Sequence, residues 1–246
     1  SYAIKLLKKD IESFKKYDKF YFLKLDISKY FYSLDHEVII SIIKQDLNQD
    51  ELNLVKIILD STNKEYINKK IEYLEKKYNV ILPKYEYKKG LAIGNLSSQF
   101  LAILYLSKLQ HYITNNLHIR FINYMDDYIL IHNSKEYLKD SLELIENKIN
   151  NEYKLKLNNK KTIISNSNQG ISFLGYTFRV KNNKTIIKLS SNTKKNIRKG
   201  IKRANYLYKN NIIKFNQYFS SIECFKNNYI FVNKDKVKHF IDRYNG

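Results

Sequence analysis

Two adjacent carboxylates stand between apolar runs in the stretch FINYMDDYILI, from Phe121 to Ile131. The pattern predicts two strands joined by a tight turn. Asp126 and Asp127 could simply be turn residues, because an Asp side chain hydrogen-bonds nearby backbone. The alternative is chemical: adjacent acids repel each other unless a positive group lies between them, and a divalent cation with oxygen ligands meets that need. Such a site requires another carboxylate from elsewhere in the chain.

Asp26 is the candidate for that third carboxylate. It closes a predicted strand rich in aromatic residues within FYFLKLDISKYFYSLDH, and the end of a strand holds a catalytic group rigidly. An ordinary acid at a strand end would give the same pattern. Together with Asp126 and Asp127, it makes the constellation of a polymerase palm, in which two cations activate the primer 3′-hydroxyl and stabilise the leaving pyrophosphate.

The rest of the pattern predicts the elements that position these acids. Hydrophobic periodicity and breaker residues predict helices over Tyr2 to Tyr17, from His36 with Asp35 as its N-cap, within residues 49 to 82, over Ser98 to Asn115, and from Lys135 to about Glu152. In the fourth of these, the predicted apolar face consists of Phe100, Ile103, Leu106, Leu109 and Ile113.

A strand from Lys19 to Ile27 leads into Asp26, and the lone Pro83 marks a break before the loop KKGLAIGNLSSQ. Further on, a hairpin pairs ISFLGYTFRV with TIIKLS, with Asn182 and Asn183 as its turn. After this hairpin, the chain is predicted to be helical and basic to its end.

Composition places the chain among globular proteins. With 246 residues and 43% apolar content, it can support a packed core. The longest apolar run, FLAILYL, is far shorter than the ~20 residues that cross a bilayer. We therefore expect no membrane span and a cytoplasmic location. The single Cys224 excludes an internal disulfide and a multi-cysteine zinc site.

The formal net charge of +20 is uneven along the chain. From Arg179 to Gly246 there are 17 Lys and Arg against three acids, a net charge of +14. Basic residues alternate with aromatic ones in KRANYLYKNNIIKFNQYF, which suits a phosphate backbone with rings packed on sugars or bases. A solvated surface rich in Lys and Asn is the alternative interpretation.

Five strings, in order, resemble successive motifs of reverse transcriptases. They are LKLDISKYFYSLDH, GLAIGNLSSQF, YMDD, KLNNKKT and ISFLGY, and they cover about Tyr21 to Phe178. The resemblance implies an α+β fold, in which a palm of antiparallel sheet backed by helices is followed by a helical, basic thumb. Its implied division is 1–178 for the palm with a remnant of the fingers, and 179–246 for the end of the primer-grip hairpin and the thumb.

The loop IGNLSSQ is similar to that of diversity-generating retroelement enzymes, which copy an RNA with frequent errors at adenines. Most reverse transcriptases resemble Gln-Gly-x-x-x-Ser-Pro at this place, and relatives often have Arg where Asn123 precedes YMDD. Defence-associated or group II intron-like bacterial enzymes are the alternatives within the family. Outside it, the alternatives are a nucleic-acid-binding module with a degenerate site and a viral-type RNA polymerase, which usually has Gly-Asp-Asp at the turn.

The resemblance also implies the metal ligands. Asp26 and Asp126 would be the principal ligands of two Mg²⁺ ions, with Mn²⁺ as the alternative metal. The carbonyl of Ile27 would add an oxygen, and Asp127 would be a supporting acid. Implied partners are an RNA template, a DNA or RNA primer and dNTPs, with a basic accessory protein in a retroelement of bacterial or phage origin.

The residues implied to bind the incoming nucleotide are Phe31, Ile93, Gly94 and Gln99. Phe31 falls where the family keeps the aromatic residue that blocks a ribose 2′-hydroxyl, although a core aromatic would look alike. Lys161 would protonate pyrophosphate as a further catalytic residue, with the adjacent Lys160 as its competitor.

Phe173, Leu174 and Gly175 resemble the hairpin that holds the primer end, although a buried strand would show the same residues. The family's fingers precede the motif around Asp26, where this chain has only 25 residues, and the only methionine is Met125. We therefore expect a truncated sequence.

Overall fold

The computed structural model describes residues 2–227, 229, 231–232 and 234–244. The chain divides into two compact units. One is Tyr17–Ile164, called the four-stranded unit below, and the other combines Ser1–Lys16 with Ser165–Gly246 and is called the three-stranded unit. The elements are, in chain order, α1 (Tyr2–Phe14), β1 (Tyr21–Asp26), α2 (Tyr30–Ser33), α3 (His36–Ile43), α4 (Gln49–Asp60), a 3₁₀ turn (Ser61–Asn63), α5 (Glu65–Tyr78), α6 (Leu96–Tyr105), α7 (Ser107–Asn115), β2 (Arg120–Tyr124), β3 (Asp127–His132), α8 (Lys135–Asn151), β4 (Ile163–Asn166), β5 (Ile171–Phe173), β6 (Tyr176–Lys181), β7 (Lys184–Leu189), α9 (Ser191–Lys209), α10 (Phe215–Asn227) and α11 (Lys234–Asp242).

The larger sheet has the strand order β2-β3-β1-β4. Strand β1 pairs antiparallel with β3 from Tyr21 opposite His132 to Asp26 opposite Asp127. The chain leaves the four-stranded unit within β4. Since side chains alternate between the faces of a strand, Leu23 and Leu25 share one face and Lys24 and Asp26 share the other.

The first of these faces packs into the core of the four-stranded unit. Leu23, Leu25 and Leu130 are buried there with Ile113 of α7 and Ile145 of α8. Full burial of such a side chain contributes about 1.5–3 kcal/mol. The antiparallel sheet backed by helices confirms the predicted α+β fold class.

Local signals predicted several elements well. The N-cap at Asp35 is confirmed, since its Oδ1 accepts hydrogen bonds from the backbone N–H groups of Glu37 and Val38 at 3.0 and 3.1 Å. The predicted helical region 49–82 is instead two helices, α4 and α5, separated by a 3₁₀ turn. Helix α5 ends before residue 82, because Asn79 adopts a left-handed conformation there.

The apolar helix predicted over Ser98 to Asn115 was wrong in its continuity and in part of its face. It is broken at Leu106 into α6 and α7. Leu106, Leu109 and Ile113 are buried as predicted, but Phe100 and Ile103 are 60% and 53% exposed. The break separates the faces of the two helices, so α6 buries Ser98, Leu101, Ala102 and Tyr105 instead.

The three-stranded unit contains a sheet of order β5-β6-β7. The turn at Asn182 and Asn183 is confirmed, and both residues have positive φ, as a type I′ turn requires. The stretch ISFLGYTFRV was predicted as one strand and is instead two, β5 and β6, joined by Leu174 and Gly175. These two residues also have positive φ, 47° and 84°.

The two compact units divide the chain at a different place from the predicted palm and thumb boundary, and that functional division stays a prediction. The boundary predicted after residue 178 cuts through β6, whereas the division of the structure falls after Ile164. Residues 1–16 group with the C-terminal part, where α1 packs on β7. Helix α9 begins at the N-cap Ser190 and buries Ile197, Ile201 and Ala204, which leaves its basic residues at the surface. Among the described residues, no helix is both long and apolar enough to span a bilayer.

Candidate active site

The hairpin of β2 and β3 presents the two adjacent acids. Tyr124 pairs with Asp127, so the turn consists of Met125 and Asp126. Met125 has a φ of 57°, a backbone conformation that is uncommon for a residue with a side chain and that tends to occur at functional sites. The tight turn places Asp126 beyond the end of the strands, while Asp127 begins β3.

Asp26 lies directly opposite Asp127 across the pair of strands. Because directly paired residues point to the same face, both carboxylates lie on the face opposite to the core side chains. The Asp26 side chain is only 11% exposed and the Asp127 side chain 30%. The fold therefore brings together three acids that are 101 positions apart in sequence at the widest.

Two lysines partly neutralise these acids. Lys161 Nζ lies 3.2 Å from Asp26 Oδ2, and Lys24 Nζ lies 3.1 Å from Asp127 Oδ1. The position of its ammonium group distinguishes Lys161 from its neighbour Lys160. Lys24 was not identified from the sequence, although its spacing of two residues from Asp26 predicted that the two share a face.

At Asp126, nearby positive charge does not balance the negative charges of the acids. Burial raises its pKa above the ordinary range, and the nearby charges of Asp127 and Asp26 raise it further against the opposing effects of a backbone hydrogen bond and Lys161. The local negative charge is therefore incompletely compensated. A hard cation with oxygen ligands would relieve this repulsion, so the chemistry of the donors fits Mg²⁺.

The arrangement of the acids supports a metal site less fully than their chemistry does. No group of three or more His, Cys, Asp or Glu residues in the described part of the chain is arranged to hold a metal ion. The ammonium of Lys161 lies against Asp26 Oδ2, an oxygen that a cation would use as a ligand. The Lys161 side chain is 64% exposed, so a cation at Asp26 could displace its ammonium toward solvent.

The backbone at Ile27 forms a bridge to Leu157, and its role as an additional ligand stays a prediction. Ser28 N–H donates to Lys156 O at 2.9 Å and Asn158 N–H donates to Asp26 O at 2.8 Å, so Ile27 and Leu157 form a bridge without direct hydrogen bonds. By the alternation of an antiparallel ladder, the carbonyl of Ile27 points away from Leu157, toward the side on which β3 begins.

The predicted nucleotide-binding residues lie on two segments of the same unit. Phe31, in α2, is half-buried against the core and its ring contacts Tyr30 edge to face at 5.9 Å. Ile93 is 63% exposed, and Gly94 has a φ of 103° with open space where a Cβ would lie. Gln99 is exposed on α6. Their nucleotide contacts stay predictions.

The predicted primer-grip residues belong to the three-stranded unit. Phe173 is 1% exposed within β5, and Leu174 and Gly175 form the turn to β6. The carbonyl of Gly175 accepts hydrogen bonds from Ser190 N–H at 2.9 Å and from Thr193 Oγ1 at 2.8 Å, which fixes the turn to the start of α9. Their proposed hold on a primer stays a prediction.

Three acids at the end of an antiparallel sheet that is backed by helices fit the class of nucleic-acid polymerase palms. Comparison with known proteins gives the family. The model of the family described as "Reverse transcriptase (RNA-dependent DNA polymerase)" matches residues 4–178. The chain belongs to the reverse transcriptase family.

Similar proteins are consistent with this membership. Over 81 residues, the chain is 38% identical to the group II intron-encoded protein LtrA of Lactococcus lactis subsp. cremoris, a match that covers 31% of this chain and 13% of LtrA. Apo telomerase of Candida tropicalis, truncated from its C-terminal domain, has a TM-score of 0.52 at 20% identity over 76% of this chain. Telomerase of Candida albicans in complex with a telomeric RNA fragment has a TM-score of 0.51 at 12% identity over 98% of this chain.

At these identities, the telomerases establish the likeness of fold alone. The chain spans about an eighth of the length of LtrA, and 39% and 49% of the two telomerase chains. The activity, substrates and partners of this chain are therefore argued from its own residues.

Proposed function

We propose that this chain carries out DNA synthesis on an RNA template by nucleotidyl transfer with two divalent cations. One observation carries the proposal: Asp26 and Asp127 oppose each other directly, beside Asp126 in the adjoining turn, in a chain of the reverse transcriptase family. Two alternatives are a binding module with a degenerate site and an RNA polymerase. Neither accounts as well for the presence of all three acids and Phe31.

Asp26, Asp126 and the carbonyl of Ile27 would hold the cations, with Asp127 in support. Bound there, divalent cations supply a lowered pKa for the primer hydroxyl and charge stabilisation for the leaving pyrophosphate. The chain's own contribution is to hold Asp26 rigidly at a buried strand end. Lys161 would exchange its ion pair with Asp26 for a role as proton donor to pyrophosphate, since its ammonium lies 3.2 Å from Asp26 Oδ2.

Each of the two units offers surfaces that suit the proposed substrates. Ile93 and Gly94 offer an exposed loop for the incoming dNTP, and Phe31 provides an aromatic edge against a ribose 2′-hydroxyl. The exposed basic residues of α9 suit the phosphates of an RNA template and its primer. Phe173, Leu174 and Gly175 would hold the primer end.

We further propose that synthesis is error-prone, as in a diversity-generating retroelement, because the loop has Ile93 where most of the family has Gln. A basic accessory protein would then be a partner. A group II intron-type enzyme is the second candidate, and the 38% identity to part of LtrA favours it. The two differ in fidelity: the first predicts frequent errors opposite template adenines.

Extension of a primed RNA template tests the activity. The 246-residue chain is offered dNTPs or NTPs with Mg²⁺, beside an Asp126→Asn variant, and the cDNA is sequenced. We expect extension with dNTPs alone, lost in the variant, with errors concentrated at adenines. Extension with NTPs only would establish an RNA polymerase, and RNA binding without synthesis a degenerate module. Accurate cDNA would favour the group II intron-type enzyme.

A further inference from the structure

The segment that contains Phe31 is hydrogen-bonded to the segment that precedes Ile93. Residues 88–91, called the tether below, run antiparallel to residues 31–36. Leu91 N–H donates to Phe31 O at 2.8 Å, Gly90 N–H donates to Leu34 O at 2.8 Å, and His36 N–H donates to Lys88 O at 3.1 Å. The tether is thus bonded to Phe31 itself at one end, and it ends two residues before Ile93.

A buried histidine holds the middle of the tether. His36 is 5% exposed, and its Nε2 lies 2.8 Å from the carbonyl oxygen of Gly90. Because a carbonyl can only accept, His36 must carry its proton on Nε2 and donate it. Burial lowers the pKa of His36, which favours the neutral ring. Thr62 Oγ1 lies 3.3 Å from the same carbonyl but is closer to Leu59 O, at 3.0 Å.

The opposite side of Gly90 is closed by Tyr85. A Cβ on Gly90 would lie 2.6 Å from the Tyr85 ring, and the φ of Gly90 is 84°. The hydroxyl of Tyr85 donates to Leu91 O at 3.1 Å. The tether is therefore confined between His36 and Tyr85, and the His36 ring bonds its middle to the first turn of α3.

We propose that His36 is a positioning residue that fixes the spacing between Phe31 and the Ile93–Gly94 loop, and thereby sets nucleotide affinity and sugar selection. The inference rests on the proposed function, because it assigns a nucleotide to this site. His36 does not touch the nucleotide. It acts through Gly90, whose displacement would shift both Leu91, bonded to Phe31, and the loop that carries Ile93.

A matched pair of substitutions separates the hydrogen bond from the volume of the ring. His36→Gln keeps a neutral N–H donor, whereas His36→Leu fills the space and leaves the buried carbonyl of Gly90 without it. For His36→Leu, we expect the KM for dNTP to rise about tenfold and the preference for dNTP over NTP to fall. The kcat and the Kd for primer-template should change less than about twofold. The KM for dNTP and the preference for dNTP over NTP should stay close to the wild-type values in His36→Gln.

Ile149→Val on α8 is the stability control, because it trims a buried side chain of the same unit that lies outside the tether. All variants are assayed well below their Tm. A KM for His36→Leu equal to that of the wild type would overturn the proposal. So would equal defects in the Gln and Leu variants, or a KM increase in Ile149→Val of the same size, since either would point to packing alone.

Hydrogen exchange of the Gly90 and Leu91 amides gives a readout that needs no activity. Their protection should fall in His36→Leu and not in Ile149→Val. If the wild-type chain extends no primer, the proposed function fails, while unchanged protection in His36→Leu would independently refute the tether.

Discussion

Replacement of Asp26 by Asn should separate catalysis from folding. The substitution keeps the shape of the side chain and removes its charge at the point where it faces Asp127. In a metal-free chain, that charge has two opposing effects. It repels Asp127 and Asp126, and it attracts the ammonium of Lys161, 3.2 Å away.

The geometry gives the size of both effects. Directly opposed side chains have Cβ atoms about 4.5–5.5 Å apart. Two charges at ~5 Å repel by about 1 kcal/mol in water and ~3 kcal/mol at an effective dielectric constant of 20. The ion pair returns less than about 1 kcal/mol, because the Lys161 side chain is 64% exposed. We therefore expect metal-free Asp26→Asn to equal or exceed the wild type in stability, with a Tm higher by about 2–4 °C per kcal/mol gained.

Catalysis should respond in the opposite direction. Loss of a ligand that stabilises the transition state costs at least ~3 kcal/mol, or about 100-fold in the rate of primer extension. Mg²⁺ should raise the Tm of the wild type and leave that of the variant nearly unchanged.

Thermal unfolding with and without Mg²⁺, beside single-turnover extension, measures both effects. Asp140→Asn, an exposed position on α8, is the matched control and should change neither. The reasoning is refuted if metal-free Asp26→Asn is markedly less stable than the wild type, which would make Asp26 a structural residue, or if it extends primers at the wild-type rate.

Other predictions concern pH, the loop and the basic helix. Because the pKa of Asp126 is raised, ionisation of its carboxyl is unfavourable in the folded chain, and the metal-free chain should lose stability as pH rises from about 4 through that raised pKa. In urea unfolding across this range, the stability of Asp126→Asn should depend less on pH than that of the wild type. An identical dependence on pH in both proteins would contradict the assignment. Ile93→Gln should lower misincorporation opposite template adenines, because Gln restores a hydrogen-bonding group near the sugar and widens discrimination by ~1 kcal/mol; sequencing cDNA from both forms tests this, and an unchanged error spectrum would refute it. RNA affinity should fall steeply with salt, and the paired substitution of Lys195 and Lys202 on α9 to Gln should reduce the slope of log K against log salt by up to about 2; filter binding at several salt concentrations measures this, and an unaltered slope would place the phosphate contacts elsewhere.

Features that depend on near neighbours in sequence were accessible to prediction. The cap at Asp35 and the turn at Asn182 and Asn183 follow from local backbone chemistry. The hairpin around Asp126 follows from apolar runs on both sides of a polar pair. Asp26 was identified because it ends a strand pattern, and the structure places it opposite Asp127.

Features set by tertiary packing were not accessible. Phe100 and Ile103 keep the spacing of a buried face, but the break at Leu106 turns them to the surface. The hydrogen bond of His36 to Gly90 joins residues 54 positions apart, and neither residue type signals it. The stretch ISFLGYTFRV was predicted as one strand because leucine is an unusual turn residue. In the structure, Leu174 nevertheless adopts a positive φ in the turn between β5 and β6.

The pairing of β1 with β3 also has a consequence for the order of folding. Asp26 and Asp127 meet only after the chain closes a loop of about a hundred residues, and such non-local contacts form slowly because chain entropy is lost before the contacts are gained. During synthesis, β1 must wait for the segment through His132 to emerge from the ribosome. Its row of unpaired backbone groups is exposed to aggregation in that interval, so the rate of translation through residues 27–132 should influence the yield of folded protein.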